Sequence, residues 1–154
     1  MKGLRLDGEV DTPREIGFAE MAGLAGQVDD VGAVVPGRRG GAVRLATLLA
    51  AVGARPSATH ATLTSADGRF AASVPLAAVA DALVVYRLGD APLPAAAGGP
   101  FRFLVPAASD CATGEVDACA NVKDLARIRL ENGPGKDTRP TNAREHAELH
   151  EKES

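Results

Sequence analysis

The chain has 154 residues, 45% of them apolar by type, with four Phe, one Tyr, no Trp and a formal net charge of −3. This length suits one domain with a tail and is enough to bury a core without staples. The mildly acidic balance excludes a non-specific nucleic-acid binder, which needs a basic excess, and no stretch reaches the ~20 apolar residues of a membrane-spanning helix.

In chain order, the opening residues Met1 to Asp7 carry charges where a secretory leader would be apolar, so the expectation is a cytoplasmic chain. Leu4 to Val10 alternates apolar and polar residues, which predicts a strand ended by Pro13. Phe18 to Leu24 places apolar residues three and six apart, the spacing of a short helix. Gly26 to Gly41 has no clear period and reads as a loop around a strand at Gly32 to Val35. Val43 to Val52 carries the clearest helical pattern, with Leu45, Leu48, Leu49 and Val52 on one face and Gly53 as the C-terminal cap.

Thr59 to Ser65 and Arg69 to Val74 read as two strands joined at Ala66-Asp67-Gly68, because Gly tolerates positive φ and Asp bonds its own backbone. Pro75 to Ala80 predicts a short helix with Pro in the first turn. Ala82 to Leu88 and Phe101 to Val105 predict strands, Ala107 to Asn121 a polar loop, and Leu125 to Leu130 a last strand. Composition changes at Glu131. Residues 1–131 form the expected domain and 132–154 a polar linker with a short helical or disordered tail, whose helix starts at Asn142 with Glu145 three residues on.

Several landmarks follow one another in the second half: Asp67-Gly68, the strand Ala82 to Arg87, Gly89-Asp90-Ala91-Pro92-Leu93, Gly98-Gly99-Pro100-Phe101-Arg102, and Asn121-Val122-Lys123. In this order they resemble the molybdopterin-binding domain of the sulfite oxidase family, over roughly Leu4 to Leu130. The resemblance implies an α+β fold with a mixed, barrel-like sheet in a single small domain. Three positions depart from the family pattern. Gly40 stands where the family has tryptophan, Gly98 where it usually has histidine, and Asp124 where a tryptophan usually follows the valine-lysine pair.

The resemblance also implies a cysteine thiolate on molybdenum, because a soft ligand suits the metal. The matching region is Gln27 to Val34, which holds Asp29 and Asp30 but no cysteine; the chain has none before Cys111. The expectation is a degenerate member that keeps the fold and an anion-binding pocket without molybdenum chemistry, so that molybdopterin itself is absent. Two other readings stay open. One is an active molybdopterin-dependent oxidoreductase with unusual metal ligation. The other is an interaction module whose C-terminal tail docks a protein partner or a second copy. The residues that match the family's cofactor-phosphate contacts are Arg102 and Lys123, and Arg38-Arg39 in a Gly-rich loop adds a further anion site.

Other residues invite less. Cys111 and Cys119 have the spacing of neither a zinc knuckle nor a redox pair and read as free thiols. His146 and His150 share a helix face but lack a third ligand. His60 falls in a strand and reads as structural. No nucleophile elbow, phosphate loop or dinucleotide fingerprint occurs.

Overall fold

The structure is a computed structural model that describes residues 3–106 and 122–135. Strand β1 (Leu4–Gly8) buries Leu4 and Leu6 completely and turns Arg5 and Asp7 outward, the period of two that a half-buried strand requires. β2 (Arg14–Ile16) folds back on it antiparallel, pairing Ile16 with Leu4. Helix α1 (Phe18–Ala22) has only five residues and buries Met21. β3 (Gln27–Val28) and β4 (Gly41–Arg44) pair antiparallel, and α2 (Leu45–Val52) follows at once. The hairpin β5 (His60–Ser65) and β6 (Ala71–Pro75) is followed by β7 (Leu83–Leu88), β8 (Ala91–Pro92), β9 (Arg102–Leu104) and β10 (Leu125–Glu131).

The strands form two sheets over one core. The first runs β2-β1-β10-β5-β6, and the first and last long strands, β1 and β10, lie side by side in parallel. The second runs β3-β4-β7-β8, with β9 also paired to β7. Leu4, Leu6, Leu63 and Ile128 of the first sheet meet Val43, Val84, Tyr86 and Phe103 of the second, and Leu48 and Val52 of α2 join them. The two sheets do not close into a barrel; each keeps its own edges.

The predicted elements are mostly present, and the differences have local causes. The expected strand at Gly32 to Val35 is a 3-10 turn, Val31–Ala33. Asp30 caps it by accepting from the Gly32 N–H at 2.9 Å, and the amides of Val34 and Val35 both turn back to the Val31 carbonyl. The expected helix from Val43 starts at Leu45, because Val43 is taken by the sheet, paired with Gln27 on one side and Val84 on the other. Gly53 closes α2 at φ 66, as its position implies. The short helix expected from Pro75 is a 3-10 turn, Leu76–Val79. β2 and β3 carry no sequence signal; at three and two residues they are too short to show a period.

The hairpin turn follows its chemistry. Asp67 Oδ1 accepts from Ser65 Oγ at 2.7 Å and from the Arg69 N–H at 2.9 Å, and Gly68 sits at φ 72. After β10 the chain lies along the β5–β6 hairpin. The Gly133 N–H donates to Thr59 Oγ1 at 2.8 Å and the Gly135 N–H to Ser73 Oγ at 2.9 Å. The polar loop with Cys111 and Cys119, and the tail with His146 and His150, lie outside the described residues.

Candidate anion site

The second sheet has an outer side as well as a core side. Along β7, Val84 and Tyr86 point into the main core, while Leu83 and Val85 point the other way. There they join Val28, Val31, Ala42, Leu93 and Leu104 in a smaller apolar cluster. A cavity of about 270 Å³ opens beside this cluster. Val31, Val85, Leu93 and Leu104 give it apolar walls, and Arg38, Arg39 and Arg102 stand at its rim. Residues far apart in the chain thus share one site. The reason is that the Gly-rich turn before β4 and the start of β9 border the same strand, β7: Val85 pairs with Ala42 on one side and with Arg102 on the other.

Arg102 is only partly satisfied in this site. Its Nε is buried and has no hydrogen-bond partner among the described residues. Its Nη1 reaches only the Ala97 carbonyl, at a long 3.4 Å. Burial first, and the nearby Arg38 charge second, hold its guanidinium below the ordinary arginine range. Both causes act against the cation, and a bound anion would oppose both.

Lys123 approaches from the segment that leads into β10. Three backbone bonds join that segment to the loop before β9 and to β9 itself: Asp124 N–H to the Gly98 carbonyl at 2.7 Å, Leu125 N–H to the Phe101 carbonyl at 2.8 Å, and Phe103 N–H to the Val122 carbonyl at 3.0 Å. They set Lys123 beside Gly98. A Cβ placed on Gly98 would stand 3.0 Å from Arg102 Cδ and 3.2 Å from Lys123 Cγ. Arg102 and Lys123 therefore flank the same residue, although Lys123 itself is exposed and does not line the cavity.

In the segment Gln27 to Val34, both carboxylates have local partners. Asp29 pairs with Arg87 Nη2 at 2.9 Å, and Asp30 is the turn cap already described. Among the described residues, no three of His, Cys, Asp and Glu come together as a metal site. His60 shares a hydrogen bond with Thr59 Oγ1 at 2.9 Å, a local contact at the start of its strand.

Sequence reasoning missed Arg87. Its Cζ lies 5.8 Å from the centre of the Tyr86 ring, and its guanidinium fills the space over Gly41, so that a Cβ there would overlap it. Gly40, at φ 113, has a side-chain direction that runs into the Arg87 carbonyl at 2.6 Å. The Gly-Gly step is thus the place where an arginine from the neighbouring strand crosses. A pair of glycines before a strand is the only sequence signal for such a crossing.

Comparison with known proteins agrees with this architecture. A family profile described as the oxidoreductase molybdopterin binding domain matches residues 32–137. Among solved structures, the sulfane dehydrogenase SoxCD from Paracoccus pantotrophus is similar in fold, with a TM-score of 0.62 at 18% sequence identity. The match covers 86% of this chain but 38% of that one, so this chain spans well under half the length of that relative. No curated protein matches in sequence. The family match covers most of the described sheet framework and all three arginines of the cavity, and on that basis the chain belongs to the sulfite oxidase-like molybdopterin-binding domain family.

Proposed function

We propose that this domain is a degenerate member of its family, one that keeps an anion-binding cavity and carries no stoichiometric molybdenum. The observation that carries the proposal is the buried, unpartnered Nε of Arg102 beside the Arg38 charge at an apolar-walled cavity. Unpaired buried donors are costly, and a cluster of like charges is better explained by a ligand that neutralises it than by packing. Arg38, Arg39 and Arg102 would hold the anionic group, with Lys123 beside them, and the apolar walls would receive the ligand's body.

The residues fit the two ends of a molybdopterin unequally. The phosphate end finds guanidinium groups, whose planar forks suit it. The metal end finds no thiolate in Gln27 to Val34, and each carboxylate there has one local partner, Asp29 the Arg87 guanidinium and Asp30 the Gly32 amide. Carboxylates are in any case hard donors, unlike the soft thiolate.

The test is elemental and pterin analysis of protein made in a molybdenum-replete host, alongside a thermal melt with and without inorganic phosphate. The expected result is far less than one molybdenum per chain and a higher melting temperature in phosphate. Near one molybdenum per chain, with sulfite- or sulfoxide-linked turnover, would instead establish an active oxidoreductase with unusual ligation.

A further inference from the structure

We propose that Asn132-Gly133 is a self-modification site, where the Gly133 backbone nitrogen attacks the Asn132 side chain and converts it to aspartate or isoaspartate, and that Thr59 is its catch. While Thr59 holds the Gly133 N–H the conversion is slow, and it runs when the strap of residues 132–135 lifts. The site follows β10 in the first sheet and shares no residue with the arginine-rimmed cavity of the second.

Asn132 is exposed and stands one residue past the last strand pair, Glu131 with His60, so the sheet ladder does not fix it. Gly133 follows it with an unhindered nitrogen: it has no side chain, and nothing lies within 4 Å of where a Cβ would be. Its N–H donates to Thr59 Oγ1 at 2.8 Å. Thr59 is itself held in place, because its own N–H donates to the Glu131 carbonyl at 2.9 Å. A hydroxyl has one proton and two lone pairs. Thr59 can thus accept from Gly133 while its proton goes to His60 Nδ1 at 2.9 Å or, less well, to the Glu131 carbonyl at 3.5 Å. Further along, the Gly135 N–H donates to Ser73 Oγ at 2.9 Å, so side-chain hydroxyls hold both glycines of the strap.

Attack needs the Gly133 nitrogen to lose its proton and turn toward the Asn132 Cγ. The bond to Thr59 keeps the proton on nitrogen and the N–H turned the other way. Once it is free, the N–Cγ bond forms, the Cγ–Nδ2 bond breaks, and ammonia leaves with a proton from water. Water then opens the cyclic imide at either carbonyl. One opening gives aspartate, the other isoaspartate with the main chain running through Cβ. No electrons change hands; one water is consumed and one ammonia released. Either product keeps the strap open. Asn132 lines a polar cleft with Glu9, Arg129 and Glu131, so the new carboxylate joins two others beside one cation. That cation already faces Glu131, at 3.6 Å. Isoaspartate also adds a methylene to the main chain just before Gly133, which moves its N–H off Thr59.

The full chain is kept at neutral pH, and peptide mapping follows aspartate and isoaspartate at position 132 over time. Thr59→Val should convert roughly fivefold faster than the wild type, the weight of one neutral hydrogen bond. Thr59→Ser keeps the hydroxyl and should convert at the wild-type rate. Thr64→Val, the same change further along β5, controls for general loosening and should also leave the rate unchanged. The chain unfolded in urea should convert fastest of all. A rate in Thr59→Val equal to or below that of the wild type overturns the proposal. So does equal acceleration in Thr59→Ser or Thr64→Val, or an unfolded chain that keeps its asparagine. Hydrogen exchange in the wild type decides the matter should Thr59→Val fail to fold: the Gly133 amide should be protected relative to the unfolded chain, and free exchange overturns the catch. Asn132→Asp installs the product carboxylate and should speed exchange at Gly133; unchanged exchange there overturns the release of the strap.

Discussion

Arg127 grips Asp7 with two parallel bonds, Nε to Oδ1 at 3.0 Å and Nη2 to Oδ2 at 2.8 Å, across 120 residues of sequence. The pair ties β10 to β1 on the outer face of the first sheet, where Arg5 also approaches Asp7 at 3.5 Å. Asp7 is mostly buried beneath the two arginines, so this is more than a loose surface contact. A double-mutant cycle with Asp7→Asn and Arg127→Met should give a coupling of about 1 kcal/mol, the upper end for partly exposed pairs, falling at high salt. The bonds to Asp7 raise the arginine's pKa above its ordinary value. Its contribution is therefore fully present below the unfolded-state value and is lost only in strong alkali, so no pH dependence from Arg127 should appear near neutrality.

Asp67 provides the acid-side counterpart. Its bonds from Ser65 Oγ and from the Arg69 N–H hold its carboxyl below the ordinary range. A depressed carboxyl contributes stability above its unfolded pKa and loses it as pH falls through the folded one. Wild type should therefore be more stable than Asp67→Ala at neutral pH, and the gap should narrow on acidification below about pH 4. Paired urea titrations at neutral and acid pH check this, and a gap that is constant with pH would rule it out.

Gly41→Ala forces Arg87 off its seat, since the new methyl would overlap the guanidinium. The loss includes the Asp29 ion pair and the contact with Tyr86, together about 1 kcal/mol. The same substitution made on an Arg87→Ala background should cost clearly less, because the space is then empty. Equal costs on the two backgrounds would show that the glycine is needed for some other reason.

Arg38 raises the cost of holding Arg102 charged. Arg38→Gln should thus raise the melting temperature of ligand-free protein by about a degree or more, roughly a few tenths of a kcal/mol, and should reduce the further rise given by phosphate. A fall in stability without phosphate would mean that Arg38 is held by attraction.

The chain beyond β10 offers a graded test. Truncation after Gly135 keeps the bonds to Thr59 and Ser73, whereas truncation after Glu131 removes both. The shorter chain should be less stable by about 1 to 2 kcal/mol, read from chemical denaturation of the two proteins. A loss of several kcal/mol already present after Gly135 would show that residues 136–154 pack on this domain or on a second copy.

Much of the framework is legible in the chain alone. The strand at Leu4, the hairpin around Asp67-Gly68, the strands before Gly89 and after Asp124, and the Gly53 cap all follow from local rules of period and turn chemistry, and all are present. The ordered landmarks also point to the family. The start of α2 differs from its expected place because Val43 fits a helix and a strand equally well, and its pairing with Val84 decides between them. The strand expected at Gly32 fails because Asp30 offers the backbone a cap instead.

Sequence by itself determined which residues alternate, which turn and which carry charge, because those properties reside in neighbours along the chain. It also singled out Arg38, Arg39, Arg102 and Lys123 as basic groups of interest. Tertiary structure alone decided that β7 brings Arg38 and Arg102 to one cavity, that the stems of Arg102 and Lys123 both border Gly98, and that Arg87 crosses Gly41 to hold Asp29. The physical reason is that burial and like-charge repulsion act through space: an unpaired Nε or a displaced methyl has no signature in a string of residues and exists only once distant strands are paired.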